Sequence, residues 1–418
     1  MMKQEKSILL IAFKFPPFAG VGGFRWSKMS KYLAQKGYKV HVVTVDWENI
    51  GVDKYSKDTD HPNIIIHRIC SFYPHNFKYR RFKNSLIGKI LHFKRHAILK
   101  LLEIFWYEDE AQYWGSYLVP FCEELIEKEK IKNVISTGAP FMANFWAAKL
   151  KVRNPDINLI LDFRDPWTDN KNLETKMKLF KKKSLKNERF TLNNCDVVVS
   201  VTPDLLNIFM EKVENRDIKG VYLPNGYDID IKDMQPVKNR KFTFLHAGGL
   251  IVGRQEPLKS FLKAVDEIKN KIPEIKIDFY GNVPNDIKRK YFELFEKKIA
   301  VQHSKIHPDE IKKKMSQSFV CLHLTARFFP MSASTKIYEH AFLKRPTLSI
   351  NYGGEIERLI NKYNLGISVN GDNVEKIKDE LSKLYEIWKK SPNYQISPKN
   401  IEFFNYKNIV GELEKYLK

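Results

Sequence analysis

The segment SASTKIYEHAFLKRPTLSI holds the side chains whose spacing is most suggestive of chemistry. Ser332 or Ser334 can cap the N-terminus of a helix that ends before the Pro of this segment. Thr335 and Glu339 are four residues apart and share one helix face, with Lys336 beside them at the positive end of the helix. This arrangement suits a nucleoside diphosphate, whose phosphates would lie at the helix start while Glu339 accepts hydrogen bonds from the ribose. The alternative is an ordinary capped surface helix.

A second glycine-rich segment, HAGGLIVGRQEPLK, lies about 80 residues earlier in the chain. Gly248 and Gly253 have P-loop spacing, but Arg254 stands where a P-loop has lysine, and the next position lacks the required Ser or Thr. These departures exclude nucleotide hydrolysis of the P-loop type. What remains is the turn Gly248-Gly249 with Arg254 and Lys259, which can bind a diphosphate. A solvated surface position is the alternative for Arg254.

The loop FPPFAGVGGFRW joins a predicted strand to a predicted helix near the start of the chain. Gly20, Gly22 and Gly23 allow backbone N–H groups to approach a phosphate or a sugar. The dinucleotide fingerprint GxGxxG fails, because Arg25 occupies its third glycine position. A tight strand–helix turn without a ligand is the alternative.

The segment LDFRDPW places charged residues at the end of another predicted strand. Arg164 and Asp165 would lie where open α/β sheets bind their ligands, and they suit sugar hydroxyls or an acceptor phosphate. A local ion-pair network of Arg164 with Asp162 and Asp165 is the alternative.

These segments are positioned by alternating strands and helices. The first half begins with a strand, a glycine-rich turn, a helix and a strand, and the second half repeats that order. The predicted ranges are 7–13, 24–36 and 39–45, then 242–246, 257–271 and 275–280, with further strands at 133–136, 158–162, 196–201, 319–324 and 347–350. This alternation predicts an α/β fold of doubly wound parallel sheets.

Two such starts predict two Rossmann-like domains that face each other across a cleft. The turn Pro224-Asn225-Gly226 indicates the boundary. We predict an acceptor-side domain over residues 1–228 and a donor domain over residues 229–399. A helix at about 400–418 is expected to pack back on the first domain.

The composition limits the classes of partner and site. Lys and Arg number 71 against 49 Asp and Glu, a net charge of +22, which favours polyanionic partners unless the excess lysine is simply solvated. No RNA-binding, zinc-finger or helix-turn-helix signature is present, so nucleic acid is not an expected partner. Four scattered Cys exclude a disulfide scaffold, and no apolar run reaches the length of a membrane span.

Residues 78–100 contain eight Lys and Arg and no acidic residue. Apolar residues recur every three to four positions in and just after this stretch, which predicts an amphipathic helix able to lie on an anionic membrane. They are Leu86, Ile90, Phe93, Ala97 and Leu101. A second basic cluster covers residues 171–189. An ordinary core-facing helix is the alternative for the first stretch.

Taken in chain order, these motifs resemble the glycosyltransferase family 4-like enzymes of the GT-B fold. The likeness is carried by FPPFAGVGGFRW with KMSKYLAQKGYKVHVVT, then LDFRDPW, LPNGYD, FLHAGGL with Arg254, and STKIYEHAFLKRPTLSI. The motifs span about residues 8–350, nearly the whole chain, and follow the order of that family.

The resemblance implies a retaining, metal-independent glycosyltransferase without a cofactor. It would move a hexose or N-acetylhexosamine from a nucleotide-diphosphate sugar to a glycan or lipid-linked glycan of the cell surface. The enzyme would be cytoplasmic, and peripheral at the inner face of the membrane.

The resemblance also assigns roles to residues of this sequence. Glu339, Arg254 and Lys336 would act in catalysis, Gly22, Gly23, Arg164 and Asp165 would face the acceptor and transferred sugar, and the donor would contact Gly248, Gly249, Arg254, Lys259, Ser334, Thr335, Lys336 and Glu339.

One position departs from the family pattern. Many members carry a glutamate eight positions before the one at Glu339, where this chain has Met331. Backbone amides around residues 332–334 are a possible replacement for its contact with the donor sugar. The departure keeps open the alternative of a non-catalytic subunit that binds nucleotide sugars. A sugar-nucleotide epimerase on the same fold is a further alternative.

Overall fold

The computed structural model describes residues 6–18, 21–47, 56–73, 90, 93–95, 97–99, 106–170, 180–229, 240–250, 253–328 and 330–418. The chain divides into two compact units, of which unit 1 is Met1–Pro224 with Tyr406–Lys418 and unit 2 is Asn225–Asn405. Most of the basic stretch 78–100 and residues 171–179 of the second basic cluster lie outside the described residues.

Unit 1 alternates strands and helices. Its elements are β1 (Ser7–Ile11), α1 (Val21–Gln35), β2 (Lys39–Val45), β3 (Ile64–Ile69), α2 (Gly115–Glu129), β4 (Asn133–Gly138), α3 (Met142–Arg153), β5 (Asn158–Phe163), α4 (Lys181–Leu192), β6 (Val197–Ser200), α5 (Pro203–Met210) and β7 (Lys219–Tyr222), with short 3-10 turns beside them. The last helix of the chain, α13 (Tyr406–Glu414), packs on α1, where Phe24 contacts Tyr406 and the Lys36 ammonium lies 2.6 Å from the Glu414 carboxylate.

Unit 2 repeats the plan. It consists of β8 (Thr243–Ala247), α6 (Gln255–Ile268), β9 (Lys276–Tyr280), α7 (Asn285–Lys290), α8 (Phe292–Glu296), β10 (Ala300–His303), α9 (Pro308–Gln317), β11 (Val320–Leu324), α10 (Thr335–Phe342), β12 (Thr347–Asn351), α11 (Glu355–Tyr363), β13 (Gly366–Asn370) and α12 (Val374–Lys390).

Within the described ranges, the strands form one sheet in each unit, and every pairing is parallel. The seven-stranded sheet has the order β3-β2-β1-β4-β5-β6-β7, and the six-stranded sheet has the order β10-β9-β8-β11-β12-β13. Both contain the Rossmann order 3-2-1-4-5-6, with the order reversing beside β1 and beside β8. The α/β prediction of two Rossmann-like, parallel, doubly wound domains is confirmed.

Four strands that the sequence pattern did not predict are β3, β7, β10 and β13, and they are the edge strands of the two sheets. The central strands β1 and β11 are buried at every position, whereas β7 and β10 each bury a single residue. A continuous apolar run therefore marks the central strands and fails to mark most of the edges.

The helix starts also differ from the prediction. α1 begins at Val21 and includes Gly22 and Gly23, and α6 begins at Gln255, directly after Arg254. Glycine lowers helix propensity, which is why the sequence pattern placed the start of α1 after the glycines.

A buried ion pair joins the centre of unit 1. The Asp162 carboxylate on β5 accepts hydrogen bonds from Arg25 (3.2 Å), Trp26 (2.8 Å) and Thr137 (2.8 Å). The Arg25 guanidinium also donates to the Leu223 and Pro224 carbonyls, at 2.9 and 2.6 Å. Arg25 is the residue that occupies the third glycine position of the dinucleotide fingerprint. Its hydrogen bonds connect α1 to β5 and to residues 223–224, where the first long segment of unit 1 ends.

Replacing Arg25 with Met should destabilise unit 1 by about 3–5 kcal/mol, because the Asp162 charge stays buried without its cation. Urea unfolding followed by tryptophan fluorescence measures this change, since all tryptophans except Trp388 belong to unit 1. The matched control is Lys39→Met, which removes a partly exposed 2.9 Å pair with Glu129 and should cost less than about 1 kcal/mol. Equal losses in the two variants would contradict this account.

Candidate functional site

The turns that follow β8 and β9 contact each other closely at the carboxyl edge of the unit 2 sheet. Gly248 and Gly281 have φ values of +149° and +154°. A Cβ atom at Gly281 would lie 2.1 Å from the Gly248 carbonyl oxygen, a distance that no side chain tolerates. Only glycine fits at Gly281, and the turn Gly248-Gly249 is fixed against it.

A second close contact joins the loop before α10 to the start of α11. A Cβ atom at Gly354 would lie 2.2 Å from the Pro330 carbonyl oxygen, and the same oxygen accepts a 2.8 Å hydrogen bond from the Glu355 N–H. Gly354 has a φ of +86°, a conformation that favours glycine. The contact holds the segment that leads into α10.

The start of α10 carries the predicted donor-site residues of the first motif. Ser334 is its N-cap, and its hydroxyl accepts a 3.4 Å hydrogen bond from the Lys336 N–H. The Lys336 ammonium donates to Glu339 Oε2 at 2.8 Å, and Glu339 is 4% exposed. Thr335 is the first residue of the helix. The sequence analysis assigned Lys336 and Glu339 to the same ligand, and the structure shows that the two side chains are hydrogen-bonded to each other. This hydrogen bond orients the Lys336 ammonium.

Arg254 immediately precedes α6, at the other glycine turn. Its guanidinium donates to the Gly249 carbonyl at 3.2 Å, which holds it beside the turn Gly248-Gly249. Lys259 lies elsewhere, because its ammonium is 3.8 Å from the Asp286 carboxylate on α7. The structure brings Arg254 to the glycine turn and leaves Lys259 on another side of α6.

Three buried histidines lie in the electrostatic reach of these cations. The pKa of His246 is lowered to about 4 and that of His323 to about 3, chiefly by burial, and the Arg254 charge contributes to both shifts. The pKa of His340 is also lowered, first by burial, then by His323 and Lys336. The Arg254 charge thus acts on His246 and His323, and the Lys336 charge acts on His340.

The His246 ring has a defined tautomer. Nδ1 lies 3.1 Å from the Leu322 carbonyl and must donate to it, so Nε2 carries the lone pair. Among the described residues this buried Nε2 has no hydrogen-bond partner, and a Cβ atom at Gly248 would lie 3.7 Å from it. His246 therefore presents an unused acceptor to the glycine turn.

A cavity of about 480 Å³ opens beside the ends of β9 and β10. Tyr280 and His303 stack with ring centroids 4.6 Å apart, and the His303 ring contacts the Asp278 carboxylate at 2.7 Å. Ser304 and residues of α9 complete the lining. The sequence analysis did not identify this cavity, although the aromatic residue before Gly281 ends a strand, as a ligand-binding residue of an α/β sheet does.

The predicted acceptor-side residues lie in unit 1. Arg164 donates to the Gly22 carbonyl at 3.3 Å, to Gly138 at 2.9 Å and to Ala139 at 3.3 Å, so it joins the start of α1 to the β4–α3 turn. Burial lowers the Arg164 pKa, while Asp162 and the exposed Asp165 raise it. Gly23 packs against the Phe15 and Phe18 backbone.

Unit 1 holds a further ion pair that the sequence analysis missed. The Lys14 ammonium lies 3.3 Å from the Glu110 carboxylate, and a Cβ atom at Gly22 would lie 3.3 Å from the Lys14 side chain. Burial raises the pKa of the neighbouring Asp109 to about 7. Lys14 lies three residues after the end of β1, a position that predicts a ligand contact, but nothing in the sequence places Glu110 beside it.

Among the described residues, His, Cys, Asp and Glu side chains nowhere gather in groups of three that could hold a metal ion. None of the helices in the described part of the chain has both the length and the apolar character needed to cross a bilayer.

Comparison with solved structures decides the fold. A glycosyltransferase from Rickettsia africae aligns over 99% of this chain and 98% of its own, with a TM-score of 0.62 at 14% sequence identity. The chain has the GT-B fold. No family model matches the sequence, and none of the curated proteins matches it either.

Two further structures with this fold extend the comparison. An α,α-trehalose 6-phosphate synthase from Burkholderia multivorans aligns over 99% of this chain and 96% of its own (TM-score 0.61, 11% identity). A UDP-GlcNAc 2-epimerase from Neisseria meningitidis aligns over 98% of this chain and 99% of its own (TM-score 0.55, 13% identity). At these sequence identities, the structural likeness establishes the fold alone. It assigns no site residues to this chain.

Gly281→Ala should destabilise unit 2 by about 1–3 kcal/mol, because the added Cβ meets the Gly248 carbonyl. Thermal unfolding measures the loss. The control Gly37→Ala also lies at a positive φ, +87° against +154° at Gly281, and has nothing within 4 Å of its Cβ, so it reports positive-φ strain without a close contact. A Gly281→Ala protein no less stable than Gly37→Ala would disprove the close contact.

The buried histidines predict a dependence of stability on pH. In the unfolded chain each ring binds a proton near pH 6.5, whereas in folded unit 2 His246 and His323 stay neutral down to about pH 4 and about pH 3. The free energy of unfolding should therefore be highest above about pH 6.5 and fall as the pH drops towards 4. Chemical unfolding across this range measures it. His323→Gln should flatten the slope, and the half-exposed His307→Gln should leave it unchanged.

Proposed function

We propose that this GT-B protein is a glycosyltransferase that takes a sugar from a nucleotide-diphosphate donor bound by unit 2. The observation that carries the proposal is the start of α10, where a capped helix N-terminus, Lys336 and the buried carboxylate of Glu339 lie together. Helix N-termini bind phosphate, and a paired lysine adds a fixed positive charge. The site follows β11, which neighbours β8 where the strand order of the sheet reverses.

The donor would occupy the carboxyl edge of the unit 2 sheet. Its phosphates would contact the α10 N-terminus, Lys336 and Arg254, and its ribose would contact the Glu339 oxygen that Lys336 leaves open. The glycine turn Gly248-Gly249 would allow close approach of the ligand. The nucleobase would enter the cavity beside Tyr280 and Ser304, which is large enough for a base.

The chemistry follows from where charge develops. When the bond from the sugar to the diphosphate breaks, the leaving phosphate gains negative charge. Arg254, Lys336 and the helix N-terminus are fixed before that step, so they stabilise this charge without rearrangement and without a metal ion. Retention of configuration at the sugar is part of the proposal.

Unit 1 would bind the acceptor. Gly22, Gly23, Arg164 and Asp165 lie at the carboxyl edge of its sheet, where Arg164 fixes the glycine turn. We propose a glycan or lipid-linked glycan of the cell surface as acceptor, and a hexose or N-acetylhexosamine as the transferred sugar. The protein would work in the cytoplasm, at the inner face of the membrane.

The position of Met331 distinguishes this chain from many enzymes that it resembles. The residue lies in the turn before α10, where those enzymes place an acid. Backbone N–H groups of residues 332–334 would replace that acid towards the donor sugar. This substitution would change which sugar is accepted more than it changes the diphosphate chemistry.

An epimerase is the second candidate, because a UDP-GlcNAc 2-epimerase solved with UDP-GlcNAc bound has the same fold. Incubation with nucleotide sugars separates the candidates. An epimerase converts the sugar without an acceptor, a transferase releases nucleoside diphosphate when an acceptor is added, and a non-catalytic subunit does neither.

Glu339→Ala should weaken the binding of the matching nucleoside diphosphate about tenfold to a hundredfold, because hydrogen bonds to a charged group are lost. Calorimetric titration with UDP, GDP, ADP, CDP and dTDP measures this loss.

The matched control is Glu380→Ala, which removes another largely buried carboxylate paired with a lysine three residues away, at 2.9 Å. It tests whether loss of any such pair in unit 2 lowers affinity. Wild-type affinity in Glu339→Ala, or an equal loss in both variants, would remove the ribose contact from the proposal.

A further inference from the structure

The strands β8 and β11 separate before they end, at the place where the strand order of the unit 2 sheet reverses. Their pairing stops at Leu245 and Cys321, whereas β8 continues to Ala247 and β11 continues to Leu324. Beyond that point β8 stays paired with β9, and β11 stays paired with β12. Open α/β sheets bind their ligands in the crevice at such a reversal.

The His246 ring bridges β8 and β11 where their pairing has ended. Its Nδ1 N–H donates to the Leu322 carbonyl, 3.1 Å away, which belongs to the first residue of β11 beyond the paired part. The ring also packs at a tilt against Phe279 of β9, with ring centroids 6.3 Å apart. These contacts with both neighbouring strands fix the ring, so the direction of the Nε2 lone pair is set by the sheet.

The Nε2 lone pair is a buried acceptor that has no hydrogen-bond donor among the described residues. His246 is 6% exposed, and an unsatisfied acceptor at such a position is costly. The missing side chain of Gly248 leaves space beside it. A Cβ atom at Gly248 would lie 3.7 Å from Nε2 and would meet no other described residue within 4 Å outside the turn itself. A ligand atom at the turn Gly248-Gly249 can therefore reach this acceptor.

The His246 ring accepts hydrogen bonds and carries no positive charge. Its pKa is lowered to about 4, chiefly by burial, with a contribution from the Arg254 charge. At physiological pH the lone pair on the neutral ring repels the oxygens of an ionised phosphate, because these are acceptors too. The group that binds Nε2 must carry an O–H or N–H hydrogen.

A nucleotide-diphosphate sugar carries such hydrogens on its base, its ribose and its sugar. In the proposed arrangement the base lies beside Tyr280, the ribose lies at Glu339, and the phosphates lie at Arg254, which donates to the Gly249 carbonyl at 3.2 Å. The sugar is attached to a phosphate held at this turn. Its hydroxyl groups are the hydrogen-bond donors that remain for His246.

We propose that His246 is a specificity-determining residue of the donor site, and that its Nε2 accepts a hydrogen bond from a hydroxyl group of the sugar. This role rests on the proposed function and deepens it, because it names a residue that recognises the sugar rather than the nucleotide. A sugar that lacks the hydroxyl group would leave the buried acceptor unpaired and would bind more weakly.

Deoxyfluoro sugars test the contact on the unaltered chain, because fluorine replaces a hydroxyl group and donates no hydrogen bond. Calorimetry first selects the tightest ligand among UDP, GDP, ADP, CDP and dTDP, and then the tighter of its glucose and N-acetylglucosamine derivatives. That derivative is compared with its deoxyfluoro analogues, one for each sugar hydroxyl group. We expect at least one analogue to bind about fivefold to tenfold more weakly. Equal affinities of all analogues would overturn the proposal.

Two variants of His246 identify the atom responsible. In His246→Asn the side-chain amide can still donate to the Leu322 carbonyl, but it does not reach the Nε2 position, whereas in His246→Gln the amide oxygen can accept there. Relative to the nucleoside diphosphate, the sugar derivative should bind the Asn variant about fivefold to tenfold more weakly, and the sensitive analogue should no longer differ from its parent. The Gln variant should retain most of both effects. An Asn variant that matches the wild type would overturn the proposal.

The matched control is His323→Asn, which removes another buried neutral ring, one that contacts the Thr325 hydroxyl through Nδ1 at 3.3 Å. It should leave the ratio of the two affinities unchanged, and thermal unfolding verifies that each variant is folded. A chain that binds no nucleoside diphosphate would refute the proposed function and this role together. Binding of the nucleoside diphosphate that His246→Asn weakens as much as binding of the sugar derivative would refute the sugar contact alone.

Discussion

The candidate site of unit 2 depends on backbone contacts that only glycine permits. The Gly248 carbonyl occupies the space of a side chain at Gly281, and the Pro330 carbonyl occupies that space at Gly354. Through these contacts the turns after β8 and β9 are fixed together, and the loop before α10 is fixed to the start of α11. Arg254 donates to the Gly249 carbonyl in the first of these turns, and Lys336 lies six residues after Pro330, so the positions of both residues depend on these contacts.

The candidate site combines charged side chains with buried histidine rings that carry no charge. His246 and His323 are buried and neutral at physiological pH, and the neighbouring cations reinforce that neutrality. The neutral rings place no buried positive charge next to Arg254, whereas the Lys336 ammonium is paired with the buried Glu339 carboxylate. The same rings should make unit 2 less stable at low pH, because they bind protons more readily in the unfolded chain.

The sequence predicted the fold class and every central strand of the two described sheets, because strands buried on both faces are continuous apolar runs. It missed the edge strands, which are mostly half-exposed, and the glycines in the first turn of α1. It identified Lys336 and Glu339 from helical spacing, but the hydrogen bond between them depends on side-chain conformation. The cavity beside Tyr280 and the Lys14–Glu110 pair arise from tertiary contacts between segments far apart in the sequence, which no local pattern encodes.

Amide hydrogen exchange with and without a saturating nucleoside diphosphate tests the central claim most directly. If the phosphates lie at the start of α10 and beside the glycine turn, protection should rise in peptides covering residues 334–339 and 248–250 and in Gly354 of the supporting loop. Gly281→Ala should reduce that protection at equal occupancy. Protection confined to unit 1, or absent from the start of α10 while calorimetry shows binding, would contradict the account.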